Sequence, residues 1–304
     1  MLVSNSGDTS TPTVGREQYP ELVRSTLNGG PSFDRDQVGT SFAAPKVTRI
    51  AAALQRLLPN EPSLLYRGLI VHSARWPEWV YESADTFDRL LAMRMFSYGI
   101  PDVERATSSS SYRSTLISQG VQTICPNEAK VFQIPVPAAL RQQGDDFEIK
   151  VQVTLSYVAQ PRRTRRGRRR YLSTWLEWKT SNLREPLSSF RQRMFKNDDS
   201  PTEATAGTSI PWVVKDQKRY GVQGVSRSTG TVQKDWAVVR SNELPENFCV
   251  AVVAHKGWSQ DPETEAKFSL VVSFESVTQE LEIHEQLEVA VNELVLKLES
   301  EVEL

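Results

Sequence analysis

The chain is poor in the residues that build redox and metal chemistry. Only two cysteines, Cys125 and Cys249, occur in 304 residues, too few for a disulfide framework. Both lie in strand-like surroundings. Two buried thiols fit that setting, and a single bridge is the alternative for an exported protein. Histidine is scarce too: the three are His72, His255 and His284. No Cys/His/Asp spacing suggests a zinc site, so neither a metal nor a cofactor is expected. No run of about 18 apolar residues exists, which excludes a membrane-spanning helix. The residues after Met1, LVSNSGDTST, are polar and carry no signal peptide, and the compartment is left open. A net charge of −1 gives no global attraction to nucleic acid or to an anionic membrane.

What is present is ordinary for globular protein, with 39% hydrophobic and 24% charged residues. The length has room for about two domains. Residues 1–38 are loop-rich, broken by Pro12, Pro20, Gly29, Gly30 and Pro31. A helix is predicted over 41–58, where Phe42, Val47, Ile50, Ala51, Leu54, Leu57 and Leu58 recur near the helical period. Its alanines make it thin enough for close packing on two sides. Further helices are predicted over 63–74, after Pro62, and over 83–96. Thr107 to Ser111, small hydroxyl residues throughout, reads as a linker. From Tyr112 onward the period shortens to two. Segments 130–135, 147–158, 171–180, 235–240, 248–255 and 267–275 read as strands, with a short helix inserted near 183–195. That part is expected to be a two-sheet β-sandwich of jelly-roll type. The division is 1–107, 108–277 and an acidic amphipathic tail over 278–304.

Between the loop-rich start and the first helix stands Gly39-Thr40-Ser41-Phe42-Ala43-Ala44-Pro45. Its layout sets Ser41 where a loop becomes a helix, beside free backbone N–H groups and a dipole that favours negative charge. An acyl-transfer serine needs such donors for its oxyanion. Serine is also a good helix N-cap, but capping alone does not explain the whole heptapeptide.

This stretch resembles the serine signature of the subtilisin-like serine proteases. The resemblance covers about the first third of the chain, closing with Tyr98-Gly99-Ile100-Pro101 and Ala106. It implies an α/β, doubly wound parallel sheet in 1–107 and peptide-bond hydrolysis through an acyl-enzyme on Ser41. Gly39 and Thr40 then belong to the substrate-binding frame, and the substrate is a polypeptide. Members of that family carry their triad in the order Asp, His, Ser. Here no histidine precedes Ser41, and none of Asp8, Glu17, Glu21, Asp34 or Asp36 sits in an Asp-Thr/Ser-Gly setting. The chain is therefore expected to be the C-terminal part of such an enzyme, with a missing N-terminal half supplying Asp and His. By itself it is expected to be inactive. His72 could be imagined as a substitute base, but a histidine at a helix end more commonly satisfies carbonyls and the dipole.

The alternative is a non-catalytic remnant that binds partners through its β domain and an arginine-rich loop. Arg162–Arg170 holds seven arginines. A phosphate-binding patch, a cleavage site and a solvated loop all fit it, and the lack of interleaved aromatics argues against nucleic acid as a partner. Residues 278–304 carry eight glutamates and one lysine, which suggests a tail lying near that loop. Leu287, Val291, Leu294, Leu298 and Val302 fall there at helical spacing, as in an amphipathic helix.

Overall fold

The structure, a computed structural model, describes residues 40–83, 85–141, 147–162, 171–195, 207–215, 226–259, 261–287 and 302–303. Its strands are β1 (Arg113–Ile117), β2 (Gln122–Ile124), β3 (Glu128–Pro135), β4 (Glu148–Val158) and β5 (Thr174–Thr180). They continue with β6 (Val232–Arg240), β7 (Asn247–Lys256), β8 (Ala266–Ser276) and β9 (Val302–Glu303). One sheet runs β1-β8-β4-β6, with β2 also pairing β8. The other runs β5-β7-β3-β9. Alternation builds the space between the sheets. Ile149, Val151, Val153, Leu155 and Tyr157 of β4 join Phe268, Leu270, Val272 and Phe274 of β8 in one buried cluster. Leu176 and Trp178 of β5 and Phe248, Val250 and Val252 of β7 close it from the other sheet. The rings of Phe248 and Phe274 meet edge to face, 5.4 Å apart.

Residues 40–107 depart from expectation. They form α1 (Thr40–Leu57), α2 (Ser63–Ser73), α3 (Glu78–Glu82), α4 (Thr86–Phe96) and α5 (Val103–Thr107). Among the described residues this region contains no strand beyond an isolated bridge, Arg75↔Ile100. Every strand pairing among the described residues is antiparallel. The doubly wound parallel α/β sheet inferred from the family resemblance is therefore overturned. The physical reason is the partner of the helical apolar faces. Those faces were expected to cover a parallel sheet; instead they cover the outer side of the first antiparallel sheet. Ile50, Leu54, Leu65, Leu69 and Ala106 cluster with Val271 of β8. Trp76, Val80, Ala92 and Met93 cluster with Trp236 of β6.

Local signals place the helix ends. The helix predicted over 83–96 starts three residues later, at Thr86, because Asp85 accepts a hydrogen bond from the Phe87 N–H (2.8 Å) and caps α4; the short α3 before it was not predicted. Gly99 follows at φ +107°, where a Cβ would lie 2.1 Å from the Arg75 carbonyl oxygen. Only glycine suits both that φ and that approach. On the far side of the molecule, α6 (Leu187–Phe195) lays Phe190 on Cys249, Ala251 and Val253 of β7. The order of layers is helices, sheet, sheet, helix.

The contact of α2 with the first sheet is polar at its centre. Gln152, Thr154 and Ser156 of β4 and Ser269 and Ser273 of β8 are buried beneath the helix layer. Lys234 of β6, 1% exposed, donates to the carbonyls of Val71 (3.0 Å), His72 (3.3 Å) and Ala74 (2.5 Å). These carbonyls lie at the helix end that has no intrahelical donors, and the dipole there favours a cation. Lys234→Met, similar in length, leaves them without that donor. A loss of about 2–4 kcal/mol in urea unfolding is expected. Val238→Thr, on the same strand but 43% exposed, should move stability by less than about 0.5 kcal/mol. Equal stability of the Lys234→Met variant and the wild type would show that the other donors to this helix end, Gln152 and Arg75, suffice.

Candidate functional site

Thr40 and Ser41 occupy the first turn of α1 and both are exposed; Gly39 lies outside the described residues. The helix starts ahead of Ser41, so this serine is inside the first turn rather than at the cap. No hydrogen bond engages its hydroxyl among the described residues. No acidic residue stands in that turn to offset the helix N-terminus. Pro45 lies inside the helix and has no N–H to give the Ser41 carbonyl. Thr48 Oγ1 donates to the Ala44 carbonyl at 3.0 Å. Of all α1, only Ile50 and Leu54 are buried. The expected packing on two sides is thus confined to one side of the C-terminal half.

A nucleophilic serine needs a base, and each histidine is held elsewhere. His72 is 4% exposed. Its Nδ1 lies 2.9 Å from Thr154 Oγ1 and its Nε2 2.8 Å from Ser273 Oγ. Its structural role is real but differs from the expected one: the ring binds sheet hydroxyls, and Lys234 takes the helix-end carbonyls. His255 stacks on Trp175, 3.9 Å between centroids, and places Nε2 3.1 Å from Glu177 Oε1. His284 Nδ1 lies 3.4 Å from Ser114 Oγ. No imidazole is left for Ser41.

The site that sequence reasoning missed is the charged ring around His72. Gln152 Nε2 donates to the His72 carbonyl (2.6 Å), and Arg75 Nη1 donates to Gln152 Oε1 (2.7 Å). Arg105 donates to both oxygens of Glu275 (2.7 and 2.6 Å), and Arg75 adds a third bond (3.2 Å). Burial would raise the Glu275 carboxyl, but the Arg105 hydrogen bonds and the charges of Arg75 and Arg105 outweigh it and hold it at about 2. Burial, with Arg75 beside it, lowers Lys150 to about 7. Lys234 is pushed well down by burial and then by Arg75 and Lys150. His72 is held well below its usual value by burial, then by Lys234, Arg75, Arg113 and Arg105. A neutral ring suits two hydroxyl partners, each able to donate or accept. The available signal was the row of polar residues alternating along β4 and β8; such a row reads equally well as a solvated face.

Cys125 and Cys249 are both free thiols. Burial pushes the Cys249 thiol up to about 12, which makes it inert as a nucleophile. No group of three or more metal-ligating side chains gathers among the described residues. No helix among them is long and apolar enough to cross a membrane. Of the arginine-rich segment only Arg162 is described, exposed and bonded through its N–H to the Tyr171 carbonyl (2.7 Å); residues 163–170 lie outside the described residues. The tail is described over 278–287 and 302–303: Ile283 and Leu287 are buried in the inter-sheet cluster, and Val302 pairs with Ala129 of β3 in a strand rather than lying on the expected amphipathic helix. The pairing of tail and loop falls outside what is described.

No known family model matches the chain. Over 127 residues, 42% of the chain, it is 30% identical to an uncharacterized protein, y4bN, of Sinorhizobium fredii. The match covers 28% of that protein, so the chain spans well under half of this curated relative.

The burial of neutral His72 makes stability depend on pH. Its folded value lies below the ordinary 6.5. As pH falls through 6.5 the unfolded chain takes up a proton that the folded chain refuses, so stability is full above that point and declines below it. Lys150 acts higher, between its ordinary 10.5 and about 7. Glu275 acts lower, between 4.5 and about 2. Between about pH 6.5 and pH 5, urea unfolding should lose up to about 1.4 kcal/mol per pH unit. His72→Gln, which keeps hydrogen-bonding capacity, should flatten that slope. An unchanged slope in the variant would assign the dependence to another group.

Proposed function

We propose that the chain is the serine-bearing C-terminal part of a subtilisin-like serine endopeptidase. The observation that carries this reading is the GTSFAAP stretch, with the Ser41 hydroxyl exposed in the first turn of α1 and without a hydrogen-bond partner among the described residues. In this reading Ser41 Oγ attacks the carbonyl carbon of a polypeptide. A histidine takes the hydroxyl proton and passes it to the leaving amine, and an acid orients the histidine. Backbone N–H groups at the start of α1, that of Ser41 first among them, donate to the oxyanion. Gly39 and Thr40 frame the substrate on the approach to Ser41. The histidine and the acid come from polypeptide outside these 304 residues, because His72, His255 and His284 are each committed to other partners.

The committed histidines also favour a second reading, a non-catalytic remnant that acts by binding. A serine without a base is not appreciably ionised near neutral pH, and triad members act as a unit. The two readings separate with a fluorophosphonate probe followed by intact mass and peptide mapping. The chain alone should remain unmodified. The product of the same gene expressed with its upstream codons should gain one adduct on Ser41, lost in Ser41→Ala. An unmodified Ser41 in that longer product, or a stop codon closing the frame just upstream of Met1, would overturn the peptidase reading in favour of binding.

A further inference from the structure

A cleft of about 350 Å³ opens on the second sheet, away from the helices of residues 40–107. Strand β5 gives one wall, α6 another and the segment up to Lys215 a third. Trp178 and Trp212 meet edge to face at 5.0 Å in its lining. Four cations line it: Lys179, Arg193, Lys215 and Arg227. A smaller cleft of about 210 Å³ adjoins it and shares Glu177, Trp178, Lys215 and Arg227.

The carboxylates near these cations are occupied. Asp235 is buried and accepts from the backbone N–H groups of Val214 (2.8 Å), Lys215 (2.9 Å) and Trp236 (2.9 Å), and from Arg227 Nη1 (3.4 Å). It thereby fixes the backbone that carries Lys215. Arg227 stacks its guanidinium 3.5 Å over the Trp178 ring and donates to the Trp178 carbonyl (2.9 Å). Glu185, 2% exposed, takes Arg193 Nε at 3.0 Å and Nη2 at 2.8 Å, and Arg193 Nη1 has no hydrogen-bond partner among the described residues. Glu177 accepts from His255 and lies 3.6 Å from Lys179 Nζ. Lys215 alone has an exposed ammonium with no hydrogen-bond or ion-pair partner among the described residues. Burial lowers its proton affinity, and Arg227, Arg193 and Lys179 lower it further against the opposing pull of Asp235.

We propose that this cleft is a binding site for a small oxyanion, a phosphate or carboxylate group held between Lys215, Arg193 Nη1 and Lys179. An anion there completes the charge that the inward-facing Asp235 and Glu185 leave unbalanced at the mouth. Two cations with free donors are what charge-assisted hydrogen bonds to such a group require. The site is independent of Ser41 and stands or falls separately from the peptidase reading.

Calorimetric titration of the full chain with inorganic phosphate and, separately, with citrate tests the assignment. At least one probe should bind saturably at low ionic strength and weaken as salt is added. The probe that binds tells phosphate from carboxylate chemistry. Lys215→Ala should weaken binding about tenfold or more, while Lys267→Ala, an exposed lysine on β8, should bind as the wild type does. Lys215 is exposed, so its variant should keep the thermal midpoint of the unliganded wild type. Saturable binding by neither probe, or equal affinity in Lys215→Ala, would overturn the proposal.

Discussion

A helix can end against a sheet only if its last carbonyls find donors, because burial removes the water that would otherwise serve them. In this protein that requirement falls on the end of α2, where Gln152 and Arg75 serve the carbonyls of His72 and Ala74 and one lysine reaches those of Val71, His72 and Ala74. Lys234 reaches across from β6 and gives its ammonium to three carbonyls of the Val71–Ala74 turn. His72 fixes the same turn from the ring side, through hydroxyls on β4 and β8. Helices α1 and α5 depend on that anchorage. Leu65 and Leu69 of α2 supply the surface on which α1 and α5 bury Ile50, Leu54 and Ala106. The buried charges around it are costly unless each is paired. Arg75, Arg105 and Glu275 meet that condition as a bonded cluster joining the turn after α2, the helix α5 and the strand β8.

The same constraint explains the contrast between α1 and α2. α2 is covered along one whole side, and its Gly68 lies where an added Cβ would meet Ser156 and Val271 at 3.5 Å. α1 touches the body only through its later turns, so the turns bearing Ser41, Ala44 and Val47 face solvent. A hydroxyl in that position is accessible, and nothing among the described residues restrains it. Accessibility favours a nucleophile; activation requires a base that the three histidines of this chain do not supply. The peptidase and binding readings differ on that point alone.

Much of the local structure was legible beforehand because it rests on periodicity. The apolar spacing from Ile50 to Leu58 and from Leu64 to Val71 specifies helices, and the alternation Ile149, Val151, Val153, Leu155 specifies a strand. The capping role of Asp85 is equally local, and it moves the start of the helix predicted over 83–96 to Thr86. The role of His72 was only half legible. A histidine near a helix end was expected to serve the carbonyls of that helix, yet its partners are 82 and 201 residues away in the chain. The parallel sheet was an inference from a family resemblance over about the first third of the chain, and nothing in residues 40–107 has the strand-like runs to build one.

By itself, then, the sequence determined the longer helices and strands, that Ser41 stands at the start of a helix, and that histidine is too scarce to serve it. Those features follow from contacts a few residues apart, where side-chain spacing and backbone geometry decide the outcome. Tertiary structure alone decided that the helices cover an antiparallel sheet, that Gln152, Thr154 and Ser273 are interior rather than wetted, and that Lys234 ends α2. The pattern of a strand reports that one face differs from the other. It carries no record of what lies on the polar face, because water and a helix end bristling with carbonyls reward the same hydroxyls, amides and ammonium groups.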